Sequence, residues 1–403
     1  MAVLILEFLI FCLVVYLALA GLYHLWLAIA YFLTKDPESS TSQRLNSFAI
    51  VIPAHNEELL ISRTCESLLS VNYPQELREI FIIADNSTDR TEDICLSYPV
   101  KVLARNDKVK AGKGYALEWA LEHIRLEDYD AVLIVDADTM VNPSILTELN
   151  KMLNQGEQAI QCYIEVPNRS ETWFTQLIYL SRTINDLLYH YSKYKLGLSS
   201  YLMGTGMCFR SSLLKDKRWT AFTLSEDWEY FAMLIEQGHR IGFAVNAVVL
   251  QQESSYLKQA TSQRLRWASG RFYVVNNLGI KLFLKGLFRR DLIMADASLS
   301  LLFPNWSLQI NLIILTLAAS LILPASPFKA VSIALCLGLL AIQGFLVIAG
   351  IILSGSSWAM VKAVLISPLF LLWKLIIDLL CMTRLYRGTK WIRTERHLPT
   401  EPK

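Results

Sequence analysis

The sequence predicts an α/β domain carried on membrane-spanning helices, and three observations predict it. Strand-like and helix-like segments alternate from Phe48 to about Asn276, the pattern of a sheet built from β-α-β units. Long apolar runs stand on both sides of that region, at Val3–Leu33 and beyond Asp296, and a bilayer-crossing helix needs roughly 20 such residues. Composition agrees, with 53% of the 403 residues hydrophobic and only 18% charged.

Taken in order, Val3–Leu33 is broken only by Glu7, Gly21 and His24. As a helix it would be roughly 45 Å long, enough for one tilted span and too short for two. No basic residue precedes it and no small-residue cleavage site follows, so it reads as an anchor rather than a removable leader. Lys35 and Arg44 come after it, which places the next segment on the cytoplasmic side.

A polar linker, Lys35–Ser47, leads to strands at Phe48–Pro53, Ile80–Ala84, Val100–Leu103, Val132–Val135, Gln158–Val166 and Ile241–Leu250. Helical spacing separates them at Glu57–Ser70, Tyr115–Ile124, Ile145–Leu153 and Leu224–Gln237. This alternation implies a parallel sheet wound with right-handed crossovers. Glu171–Leu196 is dense in aromatics and fits either a helix packed on the sheet or one at a bilayer interface. Ile280–Arg290 mixes Leu and Phe with Lys281, Lys285, Arg289 and Arg290, the composition of a basic amphipathic helix on an anionic membrane surface.

Leu308–Leu323 and Ala330–Leu353 read as two further spans. A third run, Val361–Cys381, holds Lys362, Lys374 and Asp378 and precedes a basic tail. A third full crossing would put that tail outside, against the positive-inside tendency, so this run is expected to lie in the interface or re-enter. The expected division is an anchor over 1–34, the α/β domain over 46–276, an interfacial region over 277–303, a membrane region over 304–383 and a cytosolic tail over 384–403.

The totals exclude some classes. A net charge of +2 without a basic, aromatic-interleaved stripe argues against nucleic-acid binding. Seven scattered cysteines with no C-x-x-C pair fit reduced thiols rather than a disulfide framework or zinc site. Few ionisable residues in the spans leave a coupled transporter little to work with.

The residues that carry chemistry begin with Asp136 and Asp138, just past an aliphatic strand. Ligands bind outside the carboxyl ends of strands in open α/β sheets, and two acids there suit a hard divalent cation holding a diphosphate. A capping acid and a solvated acid explain Asp136 and Asp138 equally well on spacing alone. Around them stand Pro53-Ala54-His55-Asn56-Glu57, Asp85-Asn86-Ser87-Thr88-Asp89, Lys110 to Leu117 with Lys113 between glycines, Ser225-Glu226-Asp227 and Gln263-x-x-Arg266-Trp267.

In that order these motifs resemble the membrane-embedded family-2 glycosyltransferases, the group that includes cellulose, chitin and hyaluronan synthases and ceramide glucosyltransferase. The likeness covers Phe48 to about Phe272 and implies a GT-A fold, a single Rossmann-like sheet. It implies that Ala54, Glu57 and Asp85 hold the nucleoside, with Asp85 reading uracil. Lys113 and Arg266 would take the diphosphate, Asp136 would contact nucleotide, and Asp138 would be the metal ligand for Mg2+ or Mn2+. Asp227 would be the catalytic base of an inverting displacement, a role that needs a carboxylate to accept the acceptor hydroxyl's proton. Ser225 departs from the family's usual Thr there but keeps a hydroxyl. Thr91-Glu92-Asp93 matches that motif literally but lies too early and reads as a helix start. Gly204, Thr205, Gly206, Gln263 and Trp267 would face the acceptor. Trp391, Thr394 and Arg396 resemble a loop that closes over bound nucleotide, or belong to a solvated tail.

The implied protein is an integral-membrane enzyme, of the bacterial inner or plasma membrane, with a cytoplasmic catalytic domain. It would take a UDP-sugar donor and a membrane-associated glycan or lipid acceptor. The leading expectation is a processive β-linked polysaccharide synthase, which with so few spans calls for a membrane partner subunit or homo-oligomer. The runner-up is a lipid glycosyltransferase adding one sugar to ceramide, diacylglycerol or polyprenol, and a non-catalytic sugar-nucleotide sensor stands outside both.

Overall fold

In the computed structural model, which describes residues 2–37, 44–324, 327–355 and 357–383, the chain opens with helix α1, Ala2–Leu33. The α/β region then runs β1 (Phe48–Ala54), α2 (Ile61–Leu69), β2 (Arg78–Asp85), α3 (Thr91–Leu96), β3 (Lys101–Arg105), α4 (Lys113–His123), β4 (Ala131–Ile134) and β5 (Thr139–Val141). It continues through α5 (Ile145–Asn154), β6 (Ala159–Glu165), α6 (Trp173–Thr183), a π-helical segment at Ile184–Tyr191, α7 (Ser192–Lys195), β7 (Met207–Arg210) and α8 (Ser211–Asp216). After α9 (Glu226–Glu236), β8 (Gly242–Gln251) and α10 (Leu257–Val274) come α11 (Ile280–Arg289), α12 (Leu292–Leu302), α13 (Trp306–Ile322), α14 (Pro327–Leu353) and α15 (Trp358–Met382).

The eight strands form one sheet in the order β3-β2-β1-β4-β7-β6-β8-β5. Its middle follows from the runs of apolar residues. Ile50, Ile52 and Leu133 enter the core shared with α2 and α5, while Ala49, Val51, Val132 and Ile134 enter the core shared with α4 and α9. Alternate side chains of a strand point to opposite faces, so strands covered on both sides need apolar residues throughout. Each large aliphatic buried this way contributes about 1.5–3 kcal/mol.

The sheet is mixed, which corrects the expectation of a parallel one. β1 pairs parallel with β2 and β4, but β7 lies antiparallel between β4 and β6, and β5 antiparallel beside β8. The reversal has a physical consequence: Ile134 pairs with Met207, so the turn before β7 lies beside the residues after β4.

Among the described residues three helices are long and apolar enough to cross a membrane: α1, α14 and α15. α12 and α13 form a further pair bent by 66°. The break is written in Pro304, which disfavours helix at Phe303, and in Asn305, whose Oδ1 accepts from the Leu308 N–H at 2.9 Å and starts α13. Leu308–Leu323, expected as a simple span, thus falls in the second helix of a bent pair. α1 is fastened to this pair, Tyr23 donating to Asp296 Oδ1 at 2.6 Å and His24 meeting Gln309 at 3.1 Å.

α15 is continuous over 25 residues, yet it touches the α/β region along its length. Met360 packs in a cluster with Phe174, Trp373 Nε1 donates to Thr261 at 3.1 Å, and Cys381 Sγ donates to the Leu265 carbonyl at 3.6 Å. α11 exposes Ile280, Leu284, Leu287 and Phe288. All seven cysteines are free thiols.

Candidate active site

Four chain segments are tied together at the carboxyl ends of β1, β2 and β4. After β1, Asn56 takes a left-handed conformation (φ 56°), and its Oδ1 accepts from Thr88 N–H at 2.7 Å. His55 Nδ1 bonds the Asp85 carbonyl at 2.7 Å, and Glu57 N–H donates to Thr91 Oγ1 at 2.7 Å. Thr91 therefore begins α3 and braces the first loop, as its early position in the chain implies. Asp85 is nearly buried, and its Oδ1 accepts from Arg105 Nη1 at 2.5 Å and Asn86 Nδ2 at 2.9 Å. Burial pushes the Asp85 carboxyl up, opposed first by Arg105.

The next layer centres on Lys113, at the start of α4. Its Nζ donates to Asp136 Oδ1 at 2.6 Å and to the Gly204 carbonyl at 2.7 Å, and lies 3.3 Å from Glu226 Oε1. Burial lowers the pKa of this ammonium, but Asp136, Glu226 and Asp227 together outweigh it and hold it above the usual lysine value. The lysine expected on a diphosphate is thus held among carboxylates.

Gly204 (φ 85°) and Gly206 (φ 65°) shape the turn before β7. A Cβ on Gly204 would lie 3.5 Å from Asp227 Oδ2, and one on Gly206 would lie 2.9 Å from Cys162 Cβ. Gln161, fully buried on β6, clamps this turn by donating to the Thr205 carbonyl at 2.8 Å and accepting from Met203 N–H at 2.8 Å. Thr205 Oγ1 in turn accepts from the Asp136 N–H at 3.0 Å. Thr205 and Gly206 thus stand behind the wall, and of the five residues expected to face an acceptor Gly204, Gln263 and Trp267 line the cavity. In this structure Thr205 and Gly206 brace the turn that presents Gly204.

Asp227 stands in the first turn of α9, with Oδ1 accepting from Trp228 N–H at 2.8 Å. It is partly open to the cavity yet enclosed by protein on its other sides. That enclosure, then Glu226 beside it, push its pKa up to about 7 against the pull of Lys113. A carboxyl poised there suits a general base working near neutral pH.

One cavity of about 1300 Å3 takes in Ala54, Glu57, Asp85, Lys113, Asp136, Asp138, Gly204, Asp227, Gln263, Arg266 and Trp267. That volume exceeds the roughly 300–1,000 Å3 of a single-ligand pocket. It runs on past α10 to Ile310, Leu346, Val347, Val364 and Phe370 of the long helices. Trp267 has the Arg264 guanidinium 4.5 Å from its ring centre, so one face of the indole is already covered. Trp391, Thr394 and Arg396 lie outside the described residues.

The hard oxygens of Asp136 and Asp138 fit Mg2+ or Mn2+. Among the described residues no three His, Cys, Asp or Glu side chains converge. A cation here would therefore draw most of its ligands from diphosphate and water, as Mg2+ commonly does.

Sequence reasoning passed over Arg105, Gln161, Glu226, Tyr201 and Trp228. Tyr201 and Trp228 stack at 4.3 Å in the cavity wall, with Arg271 5.5 Å from the Trp228 ring centre. Only Glu226 carried a signal, as the neighbour of Asp227. The others are set by tertiary pairing.

Comparison with known proteins gives the context. The family model described as "Glycosyltransferase like family 2" matches residues 46–270. A probable glycosyltransferase, YdaM, of Bacillus subtilis (strain 168) is 28% identical over 242 residues, covering 58% of this chain and 57% of that protein. The beta-monoglucosyldiacylglycerol synthase of Nostoc sp. is 26% identical over 229 residues, covering 55% and 48%. The chain thus spans about half the length of the curated relatives it matches. Among solved structures, the mannosyltransferase PcManGT from Pyrobaculum calidifontis, in complex with GDP-Man and Mn2+, superposes with a TM-score of 0.55 at 17% identity. That match covers 87% of this chain and 99% of that one, and it supports a GT-A fold.

Proposed function

The chain belongs to glycosyltransferase family 2, and on that premise we propose that it moves one sugar from a UDP-sugar to a lipid at the cytoplasmic face of a membrane. The observation that carries this reading is the single cavity joining Asp85 and Lys113 to the apolar faces of α13, α14 and α15, with Asp227 between. Ile310, Leu346, Val347, Val364 and Phe370 offer hydrocarbon to an acceptor, whereas a growing polysaccharide calls for hydrogen-bonding side chains along its path.

In this reading Asp85, held by Arg105, accepts from the uracil N–H, with Ala54 and Glu57 beside the nucleoside. Lys113 and Arg266 take the diphosphate, and Asp136 and Asp138 hold it through a divalent cation that neutralises the leaving group. Asp227 takes the proton from the acceptor hydroxyl as that oxygen attacks the anomeric carbon with inversion. Gln263 and Trp267 flank the acceptor. α15, bound to α6 and α10 along its length, lies in the membrane interface and roofs the acceptor end. The relative from Nostoc, a glucosyldiacylglycerol synthase by name, supports a lipid acceptor.

The competing reading, a processive β-linked polysaccharide synthase, is favoured by the Gln263-x-x-Arg266-Trp267 motif. Product size separates them. Protein in bilayers given labelled UDP-glucose or UDP-N-acetylglucosamine and mixed lipids is expected to yield one organic-extractable product carrying one sugar. A ladder of aqueous polymer overturns the lipid reading, and no UDP release from any donor overturns both.

A further inference from the structure

Beyond the residues assigned to donor and acceptor, the cavity holds a cluster of cations where its lining turns to the long apolar helices. Arg182 of α6, Arg264 of α10 and Lys374 of α15 all line it. Arg182 Nη2 and Arg264 Nη2 share a single carboxylate, Glu253, at 3.4 and 2.7 Å. Glu253 is only 4% exposed, so the two guanidiniums are held in place from behind. Arg264 Nε is buried and has no hydrogen-bond partner.

Lys374 pairs with fully buried Asp378 one turn further along α15, and Arg264 and Arg271 stand within electrostatic reach of its ammonium. Asp186, fully buried, faces Arg182 from the π-helical segment. Arg182, Arg264, Arg271 and Lys374 make four cations, and Glu253, Asp378 and Asp186 make three carboxylates. Arg182, Arg264 and Lys374 are thus matched by three carboxylates behind them, and Arg271 is a further cation beside Lys374 at an apolar boundary. Ionisable groups at such depth mark ligand sites more often than they add stability.

The shape of the charge narrows the ligand. Forked guanidiniums and an ammonium match the tetrahedral oxygens of a phosphate. A diacylglycerol or ceramide headgroup, uncharged, offers them nothing. We propose that Arg182, Arg264 and Lys374 bind the phosphate of a membrane lipid whose chains lie along the apolar wall between α6, α14 and α15. This rests on the lipid-directed reading above and narrows its ligand to a phosphate-bearing one.

The test compares phosphatidate with diacylglycerol of the same chains, titrated into the full-length protein in maltoside micelles and followed by tryptophan fluorescence. Trp267, Trp306 and Trp373 line the cavity and report occupancy. The wild type is expected to bind phosphatidate at least about tenfold more tightly, a difference of about 1.4 kcal/mol. Arg182→Gln, which leaves Glu253 paired with Arg264, is expected to remove most of that preference. So is Lys374→Met combined with Asp378→Asn, which strands no charge. UDP affinity, measured in parallel, stays unchanged and shows that the variants are folded.

Equal binding of the two lipids overturns the site, as does a preference that survives in both variants. Oleate binding as tightly as phosphatidate overturns the phosphate assignment. Sugar label appearing on the phosphate lipid supports the site and makes that lipid the acceptor. Label on diacylglycerol alone, with phosphatidate still preferred in binding, supports the site as a seat for a neighbouring lipid. Phosphate preference without transfer to any lipid supports the site while overturning the lipid-transferase reading, so the two fail separately.

Discussion

Arg105→Met isolates what holds Asp85, the carboxylate proposed to read the nucleoside, in place. Arg105 and Asp85 are 4% and 7% exposed in their side chains and meet at 2.5 Å. Removing one partner of such a pair leaves a buried charge uncompensated, at a cost of about 3–5 kcal/mol. The Lys110 carbonyl also loses its 2.6 Å donor, but it is exposed and water replaces the bond. On the scale of about 2–4 °C per kcal/mol for a domain of this size, Tm is expected to fall by at least about 6 °C. UDP binding weakens with it, because the carboxyl loses the group that opposes its burial. Adding Asp85→Leu removes the stranded charge. The double variant is expected to recover most of the Tm and none of the UDP affinity, both read by thermal unfolding with and without UDP. A fall of less than about 2 °C in the single variant, or wild-type UDP affinity in the double, refutes the reasoning.

Other consequences follow from the same geometry. The acidic limb of kcat/KM is expected at or just below pH 7, because a base at Asp227 would act only when ionised, its pKa sits at about 7, and a bound cation would lower it. Activity should fall about tenfold per pH unit beneath that limb, and a flat profile from pH 5 to 8 contradicts the base assignment. Asp138→Ala should weaken Mn2+-dependent UDP binding by at least about tenfold, measured by calorimetry, with EDTA having the same effect on the wild type. A Cβ on Gly114 would stand 2.1 Å from the Ala221 carbonyl and disturb the stacking of Phe222 on Tyr115 at 4.5 Å. Gly114→Ala is therefore expected to cost about 1–3 kcal/mol in chemical denaturation, and an unchanged midpoint counts against that packing.

The strands were legible because both-side burial demands unbroken apolar runs, as in Phe48–Ala54 and Ala131–Ile134. β5 and β7 were not. At three and four residues they are too short to show a period, and their reversed direction is set by the sheet rather than by their own residues. The bend at Pro304 was present in sequence only as the pair Pro304-Asn305, a short break between two largely apolar runs. Of the site, the carboxylates and Lys113 stand in recognisable local motifs and converge on one cavity. Arg105, Gln161 and the Arg182–Glu253–Arg264 group act across separations of 11 to 71 positions, a pairing that no local pattern encodes.

The most direct test of the central claim is a single-turnover transfer from labelled UDP-sugar to lipid, comparing the wild type with Asp227→Asn at matched donor occupancy. A roughly 10²–10⁴-fold slower appearance of glycolipid, with UDP affinity retained, is the result expected of a base at Asp227 beside an acceptor in the apolar cavity. Equal rates in the two proteins contradict it.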